Sequence, residues 1–268
     1  MARGGYNPGV TELSVVISGT GRMGRQVAAA VLAEPGMTPA AYIDGLSERG
    51  AMDGIPVFRE AGAGLDEAKP HVVVDFTNAA WTPVIAKAAL ERGIPMVIGT
   101  TGLPAEFMGW LEREAAARGV GVVVAANFAI SAVLMMHFAK QAARFFDSAE
   151  IIELHHDGKV DSPSGTAKAT AEGMVAARGR PFEHRVPETE TVPGARGAEL
   201  GGVAIHAVRL PGLVAHQEVI FGGLGQVLTI RQDSLGRDSF MPGVLLAIRE
   251  VVGRKGLVVG LERLLGLE

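Results

Sequence analysis

The chain has 268 residues, 48% hydrophobic and 20% charged: enough apolar material for a sizeable core, and a length that suits two domains or one large one. A formal net charge of −4 and the lack of any Lys/Arg-rich run argue against a nucleic-acid-binding surface, so an anionic ligand would have to be attracted locally. There is no cysteine, which excludes disulfides, thiolate metal sites and thiol nucleophiles; no metal site is expected, and the composition suits a reducing cytoplasm.

Residues 1–12 are polar and rich in Gly and Pro, and read as a flexible extension with no apolar stretch of signal-peptide type. Leu13 to Ser18 is then a short apolar strand, followed by the turn Gly19-Thr20-Gly21-Arg22-Met23-Gly24 and a helical segment from Arg25 to Ala33. Strand, glycine turn and helix in that order form a dinucleotide-binding layout. Gly19 permits the turn, Gly21 leaves room for a pyrophosphate, and Gly24 lets helix and strand pack closely. The second strand, Thr38 to Ile43, ends in Asp44, 20 residues beyond Gly24, where a carboxylate can accept hydrogen bonds from the adenosine ribose. Asp44 disfavours a 2′-phosphate while Arg22 and Arg25 could attract one, so NADH and NADPH both remain open.

Alternation continues with strands at His71 to Asp75, Ile94 to Ile98 and Val120 to Val124, separated by helices near Trp81 to Arg92 and Pro104 to Arg118. Such a series builds a doubly wound parallel sheet whose ligands lie beyond the carboxyl ends of the strands. Three of those ends carry small or hydroxylated residues suited to close contact with a cofactor: Asp75-Phe76-Thr77, Gly99-Thr100-Thr101-Gly102 and Ala125-Ala126-Asn127-Phe128. Residues 119–139 lack charge and match a bilayer in length, but the β-branched run at Val120 to Val124 and the interruption at Asn127 read as a buried strand followed by a helix from Ile130 to Phe146, so no membrane partner is expected.

Residues 153–167 gather His155, His156 and Lys159 just ahead of Ser164-Gly165-Thr166, which opens an alanine-rich helix. Each element alone is commonplace. Together they form an anion site, with cationic or proton-donating side chains beside a helix N-terminus whose amides are unpaired. A long Gly/Pro-rich loop from Gly179 to Gly202 follows, then strands near Val203 to Leu210, Ala215 to Phe221 and Val227 to Gln232, read as a mostly antiparallel sheet, and a closing helix from Phe240 to Val252. The fold expected is α/β: a Rossmann-type domain over 13–127, completed by 240–268, with a second α+β domain on an open mixed sheet over 128–239.

The string Glu153-x-His155-His156-x-x-Lys159-x-Asp161-x-Pro163-Ser164-Gly165-Thr166-Ala167 resembles the signature of the 4-hydroxy-tetrahydrodipicolinate reductases, also called dihydrodipicolinate reductases, of the diaminopimelate and lysine pathway. The strand-end motifs and the closing helix resemble that family in the same order. The resemblance implies hydride transfer from NADH or NADPH to a cyclic imine dicarboxylate in a homotetramer joined through the open sheets. It assigns His155 and Lys159 as proton donors, and His156, Ser164, Gly165 and Thr166 to substrate. It gives the cofactor Gly19, Thr20, Gly21, Arg22, Met23, Gly24, Asp44, Gly99, Thr100, Thr101 and Ala125 to Phe128. The glycine turn is one residue shorter than is usual in the family, and Gly158, Ser162 and Ser131 depart from its pattern. Two rivals are an oxidoreductase acting on sugars or hydroxy acids and a non-catalytic dinucleotide sensor. A sensor would not need His155, Lys159, Gly165 and Thr166.

Overall fold

The structure is a computed structural model that describes residues 12–184 and 189–267. Of the extension expected over residues 1–12, all but Glu12 lie outside the described residues. In chain order the elements begin with β1 (Leu13–Ser18), α1 (Arg22–Ala33), β2 (Met37–Ile43), β3 (Ala51–Met52), β4 (Ile55–Phe58), α2 (Ala61–Ala68), β5 (Val72–Asp75), α3 (Thr82–Glu91), β6 (Met96–Ile98), α4 (Ala105–Arg118) and β7 (Gly121–Val124). They continue with α5 (Ile130–Ala142), β8 (Ser148–His155), α6 (Gly165–Arg178), β9 (Ala198–Leu200), β10 (Val203–Arg209), β11 (Ala215–Gly223) and β12 (Gln226–Ser234). A 3-10 turn (Arg237–Phe240), α7 (Met241–Val251) and β13 (Gly256–Val259) close the chain. Two compact units result, one running to Ala129 and resuming at Arg237, the other Ile130–Gly236.

The first unit holds an eight-stranded sheet in the order β13-β7-β6-β5-β1-β2-β4-β3, parallel throughout except where β3 pairs antiparallel with β4. Val15, Val16, Val72, Val73, Val74, Val122 and Val123 are fully buried, the unbroken apolar run of strands covered on both faces. Helices bury one stripe each, as α1 does with Gly24, Val27, Ala28 and Val31. Register brings Ser18 opposite Ile43 and Asp75, Asp75 opposite Ile98, and Ile98 opposite Val124. The loops that carry the expected cofactor residues therefore leave the sheet along one edge.

The second unit is a five-stranded sheet in the order β12-β11-β8-β10-β9. Along β8, Ala149, Ile151 and Glu153 are buried while Glu150, Ile152 and Leu154 are partly exposed. The buried face packs with Met135, Ala139, Ala167, Ala171 and Met174 from α5 and α6. Helix α6 starts where the Ser164 hydroxyl accepts a hydrogen bond from the Ala167 amide at 3.2 Å, and ends at Gly179 in the left-handed region.

Several elements differ from expectation. Helix α1 begins three residues early, at Arg22, and α5 stops at Ala142 rather than Phe146. Strands β3, β4 and helix α2 are too short for a periodic pattern to expose them. Strands β10 and β11 are not neighbours, because β8 lies between them, parallel to β10 and antiparallel to β11, and this makes the sheet mixed. Part of the expected loop is strand β9, which turns into β10 through Gly201 and Gly202, both at positive φ; its residues 185–188 lie outside the described residues. No helix among the described residues is long and apolar enough to cross a membrane.

Candidate active site

The glycine turn is built as its sequence demands. Gly19 has φ +93°, and a β-carbon there would stand 2.7 Å from Thr77 Cγ2. One on Gly24 would overlap the carbonyl oxygen of Gly19, whereas one on Gly21 would meet nothing within 4 Å. Bare backbone at the head of α1 thus faces open space, as close approach of a pyrophosphate requires. Gly19, Gly21, Gly24 and Asp44 line one cleft of about 270 Å³ with Leu46, Phe76, Thr77 and Trp81. Met23 is half-buried in the first turn of α1, and Arg22 lines a separate recess of about 440 Å³ with Arg25, Gln26, Arg237 and Asp238.

Thr20 is spent on Asp44: its amide and hydroxyl both donate to Oδ2, at 2.9 and 2.6 Å, while the Leu46 amide donates to Oδ1 at 3.0 Å. Burial pushes the Asp44 carboxyl up, but these hydrogen bonds outweigh it and hold the group below its ordinary range. Farther along the edge, the buried Asp75 carboxyl accepts from the hydroxyls of Thr77, Thr82 and Thr100 at 2.7, 2.6 and 2.9 Å. The Thr100 hydroxyl also accepts from the Thr77 amide at 3.1 Å, so it ties two strand ends together. Phe128 is buried with its ring centroid 5.3 Å from that of Phe76, and a β-carbon on Gly99 would overlap the Phe76 ring. Asn127 Oδ1 accepts from the Ala129 amide at 2.9 Å. Thr101 and Ala126 are exposed and Ala125 is buried. None of Gly99, Thr100, Thr101 or Ala125 to Phe128 lines the cleft that holds Gly19 and Asp44; they leave the ends of the next two strands.

In the second unit His155 ends β8, with Nδ1 2.6 Å from Glu153 Oε2. Glu153 is fully buried and also accepts two bonds from the Arg209 guanidinium, at 2.7 and 2.8 Å, and one from the Ser164 amide at 3.0 Å. Burial pushes its carboxyl up, and the bonds from Arg209, His155 and Ser164 overcome that and hold it low. Burial also pushes the His155 imidazole down; Glu153 opposes this, but Lys159 and Arg209 add to it. Lys159 Nζ donates to Asp161 Oδ1 at 2.6 Å, and this bond leads in lowering the Asp161 carboxyl. At the head of α6 the Ser164 amide is taken by Glu153 and that of Ala167 by the Ser164 hydroxyl. Gly165 and Thr166 follow there, with open space beside Gly165. His156 is exposed, and a β-carbon at Gly158 would press to 3.3 Å of its Nδ1, so glycine there gives the ring room. Ser131 joins α5 to β12 through Gln232 Oε1 at 3.3 Å. Nothing in the structure explains Ser162.

Arg209 was not among the residues expected from the sequence, and Glu153 was noted without a role. A lone arginine at a strand end carries no local signal; only the pairing of β10 beside β8 puts Arg209 opposite His155.

Comparison with known proteins matches residues 13–128 to the family described as "Dihydrodipicolinate reductase, N-terminus" and residues 131–265 to "Dihydrodipicolinate reductase, C-terminus". A 4-hydroxy-tetrahydrodipicolinate reductase of Moorella thermoacetica is 49% identical over 265 residues, 96% of this chain and 99% of that protein. One of Streptococcus pneumoniae is 48% identical over 255 residues, 95% and 100% of the two chains. Among solved structures, a dipicolinate-bound dihydrodipicolinate reductase from Paenisporosarcina sp. TG-14 superposes with a TM-score of 0.87 at 40% identity, covering 94% of this chain and 99% of that one. Matched in both halves and nearly half identical to full-length relatives, the chain belongs to the dihydrodipicolinate reductase family of oxidoreductases.

Proposed function

We propose that the protein reduces 4-hydroxy-tetrahydrodipicolinate to tetrahydrodipicolinate with NADH or NADPH, in the diaminopimelate and lysine pathway. The observation that carries this reading is the cluster at the end of β8, where His155, Lys159 and the start of α6 meet within one hydrogen-bonded network around Glu153. A substrate with two carboxylates loses its water on binding, and only charge-assisted hydrogen bonds aimed at its oxygens offset that loss. The amides of Gly165 and Thr166, the hydroxyl of Thr166 and the ring of His156 supply them, with Ser164 fixing the helix start. A relative solved with dipicolinate, a ring dicarboxylate, supports the same substrate class.

The cofactor supplies hydride when bound. The chain's part is to hold it with the turn from Gly19 to Gly24, with Asp44 at the ribose, and with Gly99 to Thr101 and Ala125 to Phe128 beyond. The bonds from Thr20, Leu46 and Ser47 hold the Asp44 carboxylate ionised, an acceptor for a ribose hydroxyl. Because Nδ1 of His155 donates to an ionised carboxylate, Nε2 is the nitrogen that exchanges a proton with substrate. Lys159 is the second donor, a cation that meets negative charge developing on the ring.

We assign cofactor binding to residues 13–127 with 240–268, and substrate binding and oligomerisation to 128–239. The assembly is a homotetramer in the cytoplasm. The partly exposed Ile152 and Leu154 on β8, with exposed Val227 on the same face of β12, support pairing through the open sheet. The test is oxidation of NADH and of NADPH, followed by nicotinamide absorbance, with substrate generated in place from pyruvate and aspartate semialdehyde by the preceding synthase. Substrate-dependent oxidation establishes the activity and ranks the cofactors; cofactor binding without it overturns the reading.

A further inference from the structure

We infer that Glu153 and Arg209 act as one positioning unit, which sets the tautomer of His155 and holds the Lys159 loop and the start of α6 in place around it. This rests on the reading of His155 and Lys159 as proton donors.

A carboxylate offers about four acceptor positions, and all four of Glu153 are filled, by two nitrogens of Arg209, by His155 and by the Ser164 amide. It has none left for a substrate proton or a ligand, so its role is exercised through its neighbours. Those neighbours come from three places: Arg209 from β10, His155 from β8 itself, and Ser164 from the N-cap of α6. The guanidinium extends the network by donating from Nη2 to the Asp161 carbonyl at 2.7 Å, while the Asp161 carboxylate holds Lys159. Both donors thus hang from the same ion pair, His155 through Glu153 and Lys159 through Asp161. Arg209 Nη1 also donates to the Val208 carbonyl at 2.8 Å, so its four terminal N–H groups are all engaged, by Glu153, Asp161 and Val208, and Nε alone is buried without a partner. The charged groups acting on His155 are Glu153 on its own strand, Arg209 on β10 and Lys159 in the loop; on the β11 side the residue opposite is Ala215, which has no charge.

The fork geometry matters because lysine at 209 could keep the charge but not the parallel bonds. The charge of Glu153 matters because a carboxylate can only accept, which fixes the proton on Nδ1 of a neutral imidazole, whereas a glutamine amide can also donate to that nitrogen.

The experiment is nitrogen-detected NMR of His155 in the whole protein, with pH profiles of turnover, for wild type, Glu153→Gln, Glu153→Asp and Arg209→Lys. In Glu153→Gln the Nε2–H tautomer of His155 appears and kcat falls on the order of 10²-fold with cofactor Kd unchanged, the loss typical of a misplaced reacting group. Arg209→Lys keeps the tautomer but raises KM, since the Asp161 carbonyl loses its anchor. If Glu153→Gln does not fold, Glu153→Asp keeps the charge and withdraws it by one methylene, and the expectation is a native fold with lowered kcat. A wild-type tautomer and wild-type pH profile in folded Glu153→Gln, or wild-type kcat in Glu153→Asp, overturns the inference. The NMR measurement needs no substrate. Lack of turnover by the wild type therefore marks failure of the reductase reading, and an unchanged tautomer in folded Glu153→Gln marks failure of this one.

Discussion

Glu153 Oε2 lies 2.6 Å from His155 Nδ1 and 2.7 Å from Arg209 Nη1, so one buried oxygen is shared between a proposed proton donor and a permanent cation. A carboxylate without such partners would be costly at full burial; with them it stays ionised.

That arrangement links stability to pH. The folded-state value of Glu153 is depressed, so its contribution is complete above its unfolded value near about pH 4.3 and is lost as pH falls through the folded value. His155 is depressed as well, so below about pH 6.5 the unfolded chain binds the extra proton and stability again falls with acid. Thermal melts should therefore show Tm dropping in two acid windows, the upper one absent in His155→Gln. Glu153→Ala, which strands the Arg209 charge, should cost about 3–5 kcal/mol by denaturant unfolding.

His155→Gln and Lys159→Ala should each lower kcat on the order of 10²-fold or more while leaving the Kd for NADH and NADPH unchanged by fluorescence titration. Wild-type turnover in the double variant would remove both residues from the mechanism.

Asp44→Ala should weaken NADH more than NADPH, because the carboxylate addresses ribose hydroxyls and repels a 2′-phosphate. Since Asp44 also fastens Thr20, Thr20→Val is the control: it loosens the turn without removing the charge, and should weaken the two cofactors alike. Equal losses in Asp44→Ala would count against the ribose role.

Gly24→Ala forces a methyl against the Gly19 carbonyl and should destabilise the fold by about 1–3 kcal/mol and reduce cofactor affinity. Gly21→Ala meets open space in the free protein, so its loss should appear only in cofactor titrations, with Tm unchanged.

The sequence by itself determined whatever is written in short-range pattern. The valine-rich strands, the glycine turn before α1, the Asp44 position and the Ser164 cap on α6 are local signals, each set by sterics or hydrogen bonding within a few residues. In the structure these segments form the expected strands, turn and helix start, in elements whose ends shift by a few residues. Only the tertiary structure decided what depends on pairing between distant segments. β8 sits in the middle of its sheet, parallel to β10, and so brings Arg209 to Glu153 across 56 residues of chain. β13 joins the first sheet beside β7 from the far end of the chain. Strand order is chosen by which faces bury together rather than by any one strand's composition, so an arginine at the end of β10 looks like any solvated charge until its neighbour is known.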